Sequence, residues 1–195
     1  MKKLILLLMI QSFVPGFMIN AQKITVKKGS LDFISEQRKI LVTFDYSNMS
    51  VGSYEKEEDY VNEKVAENNA VEPGKGDKWK EAWESNKKNR YEPKFIELLN
   101  YYTLRKDLLC GKDAKDAKYV MVVHTLHMDL GKDSYIDVEI TFRKISDNEA
   151  AAVISFTNCR GESPSTFGGY TVAMRIEGAY ERLGRALAGM ILKKL

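Results

Sequence analysis

The sequence predicts an α+β domain of two layers, an antiparallel sheet with helices packed mainly on one face. Three observations carry that expectation. Segments 134–145 and 150–159 alternate apolar and polar residues with a period of two, as half-buried strands do. Residues 170–193 repeat apolar positions at helical spacing, with Val172, Ile176, Tyr180, Leu183, Leu187 and Met190 in one narrow arc. Between an early strand and the later ones lies a long charged stretch, about 55–109, whose sparse apolar anchors suit helices rather than strands.

Residues 1–21 stand apart from this pattern. Lys2 and Lys3 give a positive start, Leu4 to Ile10 an unbroken apolar run, Pro15-Gly16 a break, and Ala21 a suitable residue before a cut. This is the tripartite pattern of an export signal. A spanning helix needs about 20 predominantly apolar residues, so a removable signal peptide is expected here in preference to an anchor. The 195 residues less these 21 leave 174, one domain over 22–195, long enough to bury about 70% of its unfolded surface. No second long apolar run follows, so no transmembrane segment is expected after signal removal, and the expected location is periplasmic or secreted.

The signal also carries part of the basic character. The chain has 30 Lys and Arg against 27 Asp and Glu, and Lys2 and Lys3 leave with the signal. A near-neutral remainder lacks the concentrated basic surface that binds a phosphate backbone, so no nucleic-acid partner is expected.

The elements follow in order. Residues 22–28 read as a short strand with Ile24 and Val26 on one face, and Gly29-Ser30 turns the chain. Residues 38–46 are a clearer strand, with Ile40, Val42, Phe44 and Tyr46 sharing one side. Residues 47–53 read as loop. A helix over 55–69 is anchored by Tyr60, Val61 and Val65, and V-E-P-G-K-G at 71–76 breaks it. Asp77 is placed to cap a second helix over 77–90, where Trp79, Ala82 and Trp83 share a face. Pro93 suits the first turn of a third helix over 92–105. Strands at 117–130, 134–145 and 150–159 form an antiparallel meander, and the terminal helix clamps it. Gly184 and Ala188 flank that helix's apolar stripe, where small residues permit close approach to the sheet.

Chemical candidates are few. His124 and His127 stand three apart, which on a regular strand puts them on opposite faces, so a shared metal ion would need a bulge. Asp137, Glu139 and Arg143 form an outward stripe that could serve acid–base chemistry or be a solvated sheet face. No phosphate loop, nucleophile elbow or cofactor motif is present, so no cofactor is expected. Cys110 and Cys159 could pair in an oxidising compartment, worth about 4 kcal/mol in the chain-entropy model, or be two separate buried thiols. Possible contacts for a partner or ligand are Trp79 and Trp83 on one helix face, Arg175, Arg182 and Arg185 on the terminal helix, and Phe167 in the loop 161–169.

The segments K-I-L-V-T-F-D-Y at 39–46, A-K-Y-V-M-V-V-H-T-L-H-M-D-L at 117–130 and A-Y-E-R-L-G-R-A-L-A-G-M-I at 179–191, in that order around a helical insert, resemble the α/β module of bacterial envelope proteins. These are the curli-secretion lipoproteins, the amino-terminal domain of TolB and the lipoprotein activators of peptidoglycan synthases. The resemblance covers about residues 39–191 and implies a non-enzymatic role, binding another envelope protein. This chain lacks the lipobox cysteine of the lipoprotein members, and none of their functional residues maps onto it. Two readings follow: an exported interaction module without catalysis, and a small-molecule or glycan binder using the Trp79/Trp83 helix. A hydrolase built on Asp137 or Glu139 is a third.

Overall fold

The computed structural model describes residues 22–161 and 171–195. Seven strands form one sheet, ordered β1 (Lys23–Gly29), β7 (Ala150–Arg160), β6 (Tyr135–Lys144), β5 (Tyr119–Asp129), β2 (Lys39–Asp45), β4 (Leu109–Gly111), with β3 (Ser50–Val51) also on β5. The fold is α+β, as the alternating segments predict. Within the run β5-β6-β7-β1 each adjacent pair is antiparallel. The sheet as a whole is mixed, which corrects the all-antiparallel expectation: β2 and β3 pair parallel to β5, and β4 parallel to β2. The cause is the helical stretch after β3, which serves as the long crossover that parallel strands require.

β2 and β3 are two halves of one interrupted strand. β2 lies against Val120–His124 and β3 against His127–Met128, with Leu126 bulged out of β5 between them. The segment read as loop, 47–53, thus contains a strand of two residues, too short to register as a period.

α1 spans Glu57–Val71 and α2 spans Lys75–Asn86. Gly74, at φ 82, reverses the chain between them, and Gly76 N donates to Asn69 Oδ1 at 2.8 Å. Asp77 lies inside the first turn of α2 and does not cap it, because Gly74 takes the cap position. α2 continues without a break through a π-turn, Lys87–Tyr91, into α3 (Glu92–Thr103). The expected boundary near residue 91 is therefore a widened turn. Pro93 has no N–H and its ring crowds the carbonyl four residues back, and a π-turn absorbs that crowding without ending the helix. The same turn aims two side chains at α4 (Val172–Ile191): Arg90 Nη2 meets Glu177 Oε2 at 2.7 Å, and the Tyr91 ring stacks on Tyr180 at 5.4 Å.

α4 buries Ile176, Tyr180, Leu183 and Leu187, as the periodicity predicts, and Thr171 caps it by accepting from Met174 N at 3.3 Å. The core lies between α3, α4 and one face of the sheet, filled by Ile40, Val42, Met121, Val123, Ile136, Val138, Ile140, Phe142, Ile154 and Phe156. Gly184 does permit a close approach, but to α3: a Cβ there would stand 2.5 Å from the Phe95 carbonyl oxygen. The opposite face of the sheet carries Thr43, Val122, Thr141 and Val153 in one row and Asp45, His124, Glu139 and Ser155 in the next.

Candidate interaction surface

K-I-T-V-K-K-G makes β1 because its side chains alternate, apolar Ile24 and Val26 against Lys23 and Thr25. Among the described residues the strand pairs with β7 alone, and its other edge meets no strand. Ile24 and Val26 register with Phe156 and Ile154, so they face the helical layer. α4 does not reach over them. They are 41% and 51% exposed, against full burial of the two β7 residues they oppose. A bulge at Lys27 then sets Lys28 opposite Val153 on the outer face. Gly29 ends the strand at φ 66, where a Cβ would collide with the Ala151 carbonyl oxygen at 1.8 Å, so only glycine fits.

Beside Val26 opens a groove of about 240 Å³ lined by Leu31, Ala152, Ile154, Met190 and Lys193, among others. Lysines rim this region. Lys27 Nζ meets Glu139 Oε2 at 2.8 Å, and Lys194 Nζ meets Asp32 Oδ1 at 2.6 Å. The Lys194 contact, with the Ser30 hydroxyl, holds the Asp32 carboxyl below its ordinary pKa. Lys23, Lys28 and Lys193 make no ion pair among the described residues.

The residues singled out in the sequence are dispersed. Trp79 and Trp83 do share a face, their rings stacked 5.6 Å apart. That face is turned into the α1–α2 hairpin, where Tyr60 lies 5.2 Å from Trp83, and Trp83 Nε1 donates to Glu57 Oε1 at 2.5 Å. Trp83 is buried and Trp79 half-buried. Arg175, expected outward, is half-buried and donates from Nε to Ser134 Oγ at 3.1 Å. Arg182 and Arg185 are exposed, and Arg185 Nη2 meets Glu181 Oε1 at 2.7 Å. Phe167 and the signal segment 1–21 lie outside the described residues.

The cysteine pairing is excluded. Both cysteines are free and buried. Cys110 lies in β4 and Cys159 in β7, four strand positions apart, or about 19 Å at the usual interstrand spacing. Burial pushes each thiol up to about 12.

The bulge at Leu126 removes the premise that separates the two histidines. His124 and His127 register with Glu139 and Asp137 and share the outer face. They act on the strand interruption: His124 Nε2 donates to the Ser47 carbonyl at 2.9 Å, and His127 Nδ1 pairs with Ser50 Oγ at 2.8 Å. No cluster of three or more metal-ligating side chains occurs among the described residues. Asp137 accepts from Asn158 N at 2.7 Å and Glu139 binds Lys27, so this stripe knits neighbouring strands together. No helix among the described residues is long and apolar enough to cross a membrane.

Two buried hydroxyls, those of Thr103 and Tyr46, lack full hydrogen-bond geometry to any partner among the described residues. The Tyr46 hydroxyl faces that of Tyr180. Burial, then the nearby Tyr180 and Glu92, raise its pKa above the ordinary phenol value. Tyr180 itself bonds Thr125 Oγ1 at 2.6 Å. Sequence reasoning did not find the β1 edge, although Ile24 and Val26 beside three lysines carried the signal.

No family model matches the sequence, and no curated protein matches it. Among solved structures, a PelC dodecamer from Paraburkholderia phytofirmans aligns at TM-score 0.38 and 10% identity, over 85% of this chain and 97% of that one. A point variant of the same dodecamer aligns at TM-score 0.37 and 11% identity, over 84% and 98%. Scores this low do not establish a common fold, and the dodecameric state is a property of those proteins.

Proposed function

We propose that this protein is an exported, non-catalytic interaction module of the bacterial cell envelope, and that it binds another envelope protein through β1. The observation that supports the reading is the free edge itself, with Ile24 and Val26 exposed beside an apolar groove. Exposed apolar side chains at an unpaired edge mark a surface that gains from being covered. The export signal read in residues 1–21 supplies the compartment.

The alternative reading, a small-molecule or glycan site on the Trp79/Trp83 helix, is less favoured, since those rings pack on each other and on Tyr60 and Trp83 is buried. The hydrolase reading loses its free carboxylates to Asn158 and Lys27.

The test is a photo-crosslinking amino acid in place of Val26 in cells, followed by fractionation and mass spectrometry. The expected result is an envelope-fraction adduct on a chain beginning near Gln22. A chain that keeps Met1 in the cytoplasm, or one that yields no adduct from position 26, overturns the proposal.

A further inference from the structure

We infer that the partner presents an extended segment of alternating carboxylate and apolar residues, which joins the sheet as a strand beside β1. This rests on the interaction-module reading above and names the partner's chemistry.

The argument begins with the backbone. An edge strand offers a row of N–H and C=O groups whose natural complement is another strand. A membrane or a polyanion could neutralise lysines but supplies no such row. The two faces of β1 then dictate the side chains. On the helical side Ile24 and Val26 border the groove formed by Leu31, Ala152, Ile154 and Met190. On the outer side stand Lys23 and Lys28, with Lys193 at the groove rim, none engaged in an ion pair among the described residues. Successive side chains of an added strand point to opposite faces. One set therefore enters the groove as apolar groups, and the other meets the lysines as carboxylates.

The same charges argue against a second copy as the occupant. Pairing β1 with its own symmetry mate would bring three further lysines, the mate's 23, 27 and 28, to one face of the joint sheet. Cross-strand like charges destabilise such a pairing, so the lysines turn away self-association while admitting an acidic strand.

Fluorescence anisotropy with a labelled heptapeptide, Glu-Val-Glu-Val-Glu-Val-Glu, on the purified protein tests this. Saturable binding is expected. It should weaken at least about tenfold, or about 1.4 kcal/mol, when alternate peptide nitrogens are methylated. The same loss is expected for the double variant Lys23→Glu, Lys28→Glu, which should in turn gain affinity for the Lys-Val counterpart. Both positions are exposed, and circular dichroism will verify that the variant is folded. Absence of binding at millimolar peptide overturns the inference. So does equal binding of the methylated peptide, which would reduce the contact to charge attraction, or a dimer of the unsubstituted protein in sedimentation that crosslinks through position 26. If the peptide fails while the crosslinker at position 26 still captures an envelope protein, the acidic-strand inference falls and the interaction module stands. If both fail, both fall.

Discussion

A Cβ at residue 184 has nowhere to go. The Phe95 carbonyl oxygen would lie 2.5 Å from it, so Gly184→Ala must push α4 off α3. We expect a loss of about 1–3 kcal/mol, the usual cost of overpacking, read as a lower urea midpoint. At the neighbouring Leu183, fully buried, Leu183→Asp should abolish the folded far-ultraviolet signal, and Leu183→Ala should cost about 2–5 kcal/mol. Tyr46→Phe is the contrasting case: it deletes a buried hydroxyl that meets Tyr180 without full hydrogen-bond geometry, so stability should change by no more than about 1 kcal/mol.

The thiols give a pH signature. Both are raised to about 12 in the fold but ionise near about 8.5 when unfolded. Between those values the folded state holds more protons than the unfolded one, so stability falls as pH rises. It should be flat below pH about 8 and drop by about 1.4 kcal/mol per pH unit for each thiol above about 9. Equilibrium urea melts at stepped pH would show it, and a flat profile would refute it. At this scale the periodic residues of α4 were legible, because a long helix averages its signal. Cys159 was not. Asn158 at φ 56 introduces a bulge that turns the next side chain inward, and a strict period of two cannot announce a bulge.

At the scale of elements, Gly74 isolates backbone strain from packing. Its φ is 82, and a Cβ there would touch nothing within 4 Å. Gly74→Ala should therefore cost about 1–2 kcal/mol through the left-handed conformation alone, seen as a lower melting temperature with unchanged spectra. The crossover was legible as charged and helical, yet its joints were not. Proline at position 93 suggests a new helix by every local rule, but the widened turn before it absorbs the crowding of its ring and is held by the contacts of Arg90 and Tyr91 with Glu177 and Tyr180 on α4. β4 escaped notice because Leu108, Leu109 and Cys110 are a brief apolar group after the charged turn 105–107. Three residues are too few to distinguish strand from helix without the neighbouring β2.

For the whole molecule, stability should grade across the sheet. β5 and β6 are flanked by strands on both sides and buried against helices, whereas β1 has one neighbour and exposed side chains. Hydrogen exchange should thus protect amides of β5 and β6 most and those of β1 least, and uniform protection would contradict the free edge. The layer count and meander were readable from alternation. The parallel half was not, since pairing direction is set by the crossover and leaves no mark in either strand.

The position of β1 also bears on the order of assembly. Gln22, at its threshold, contacts Cys159, 137 residues later, and among the described residues β7 is the strand that receives it. Of the described chain this ribbon is synthesised first, yet its docking site is complete only after nearly everything else exists. Contacts so distant in sequence close slowly. The lysine-bearing segment therefore stays an unpaired end until β7 has been made.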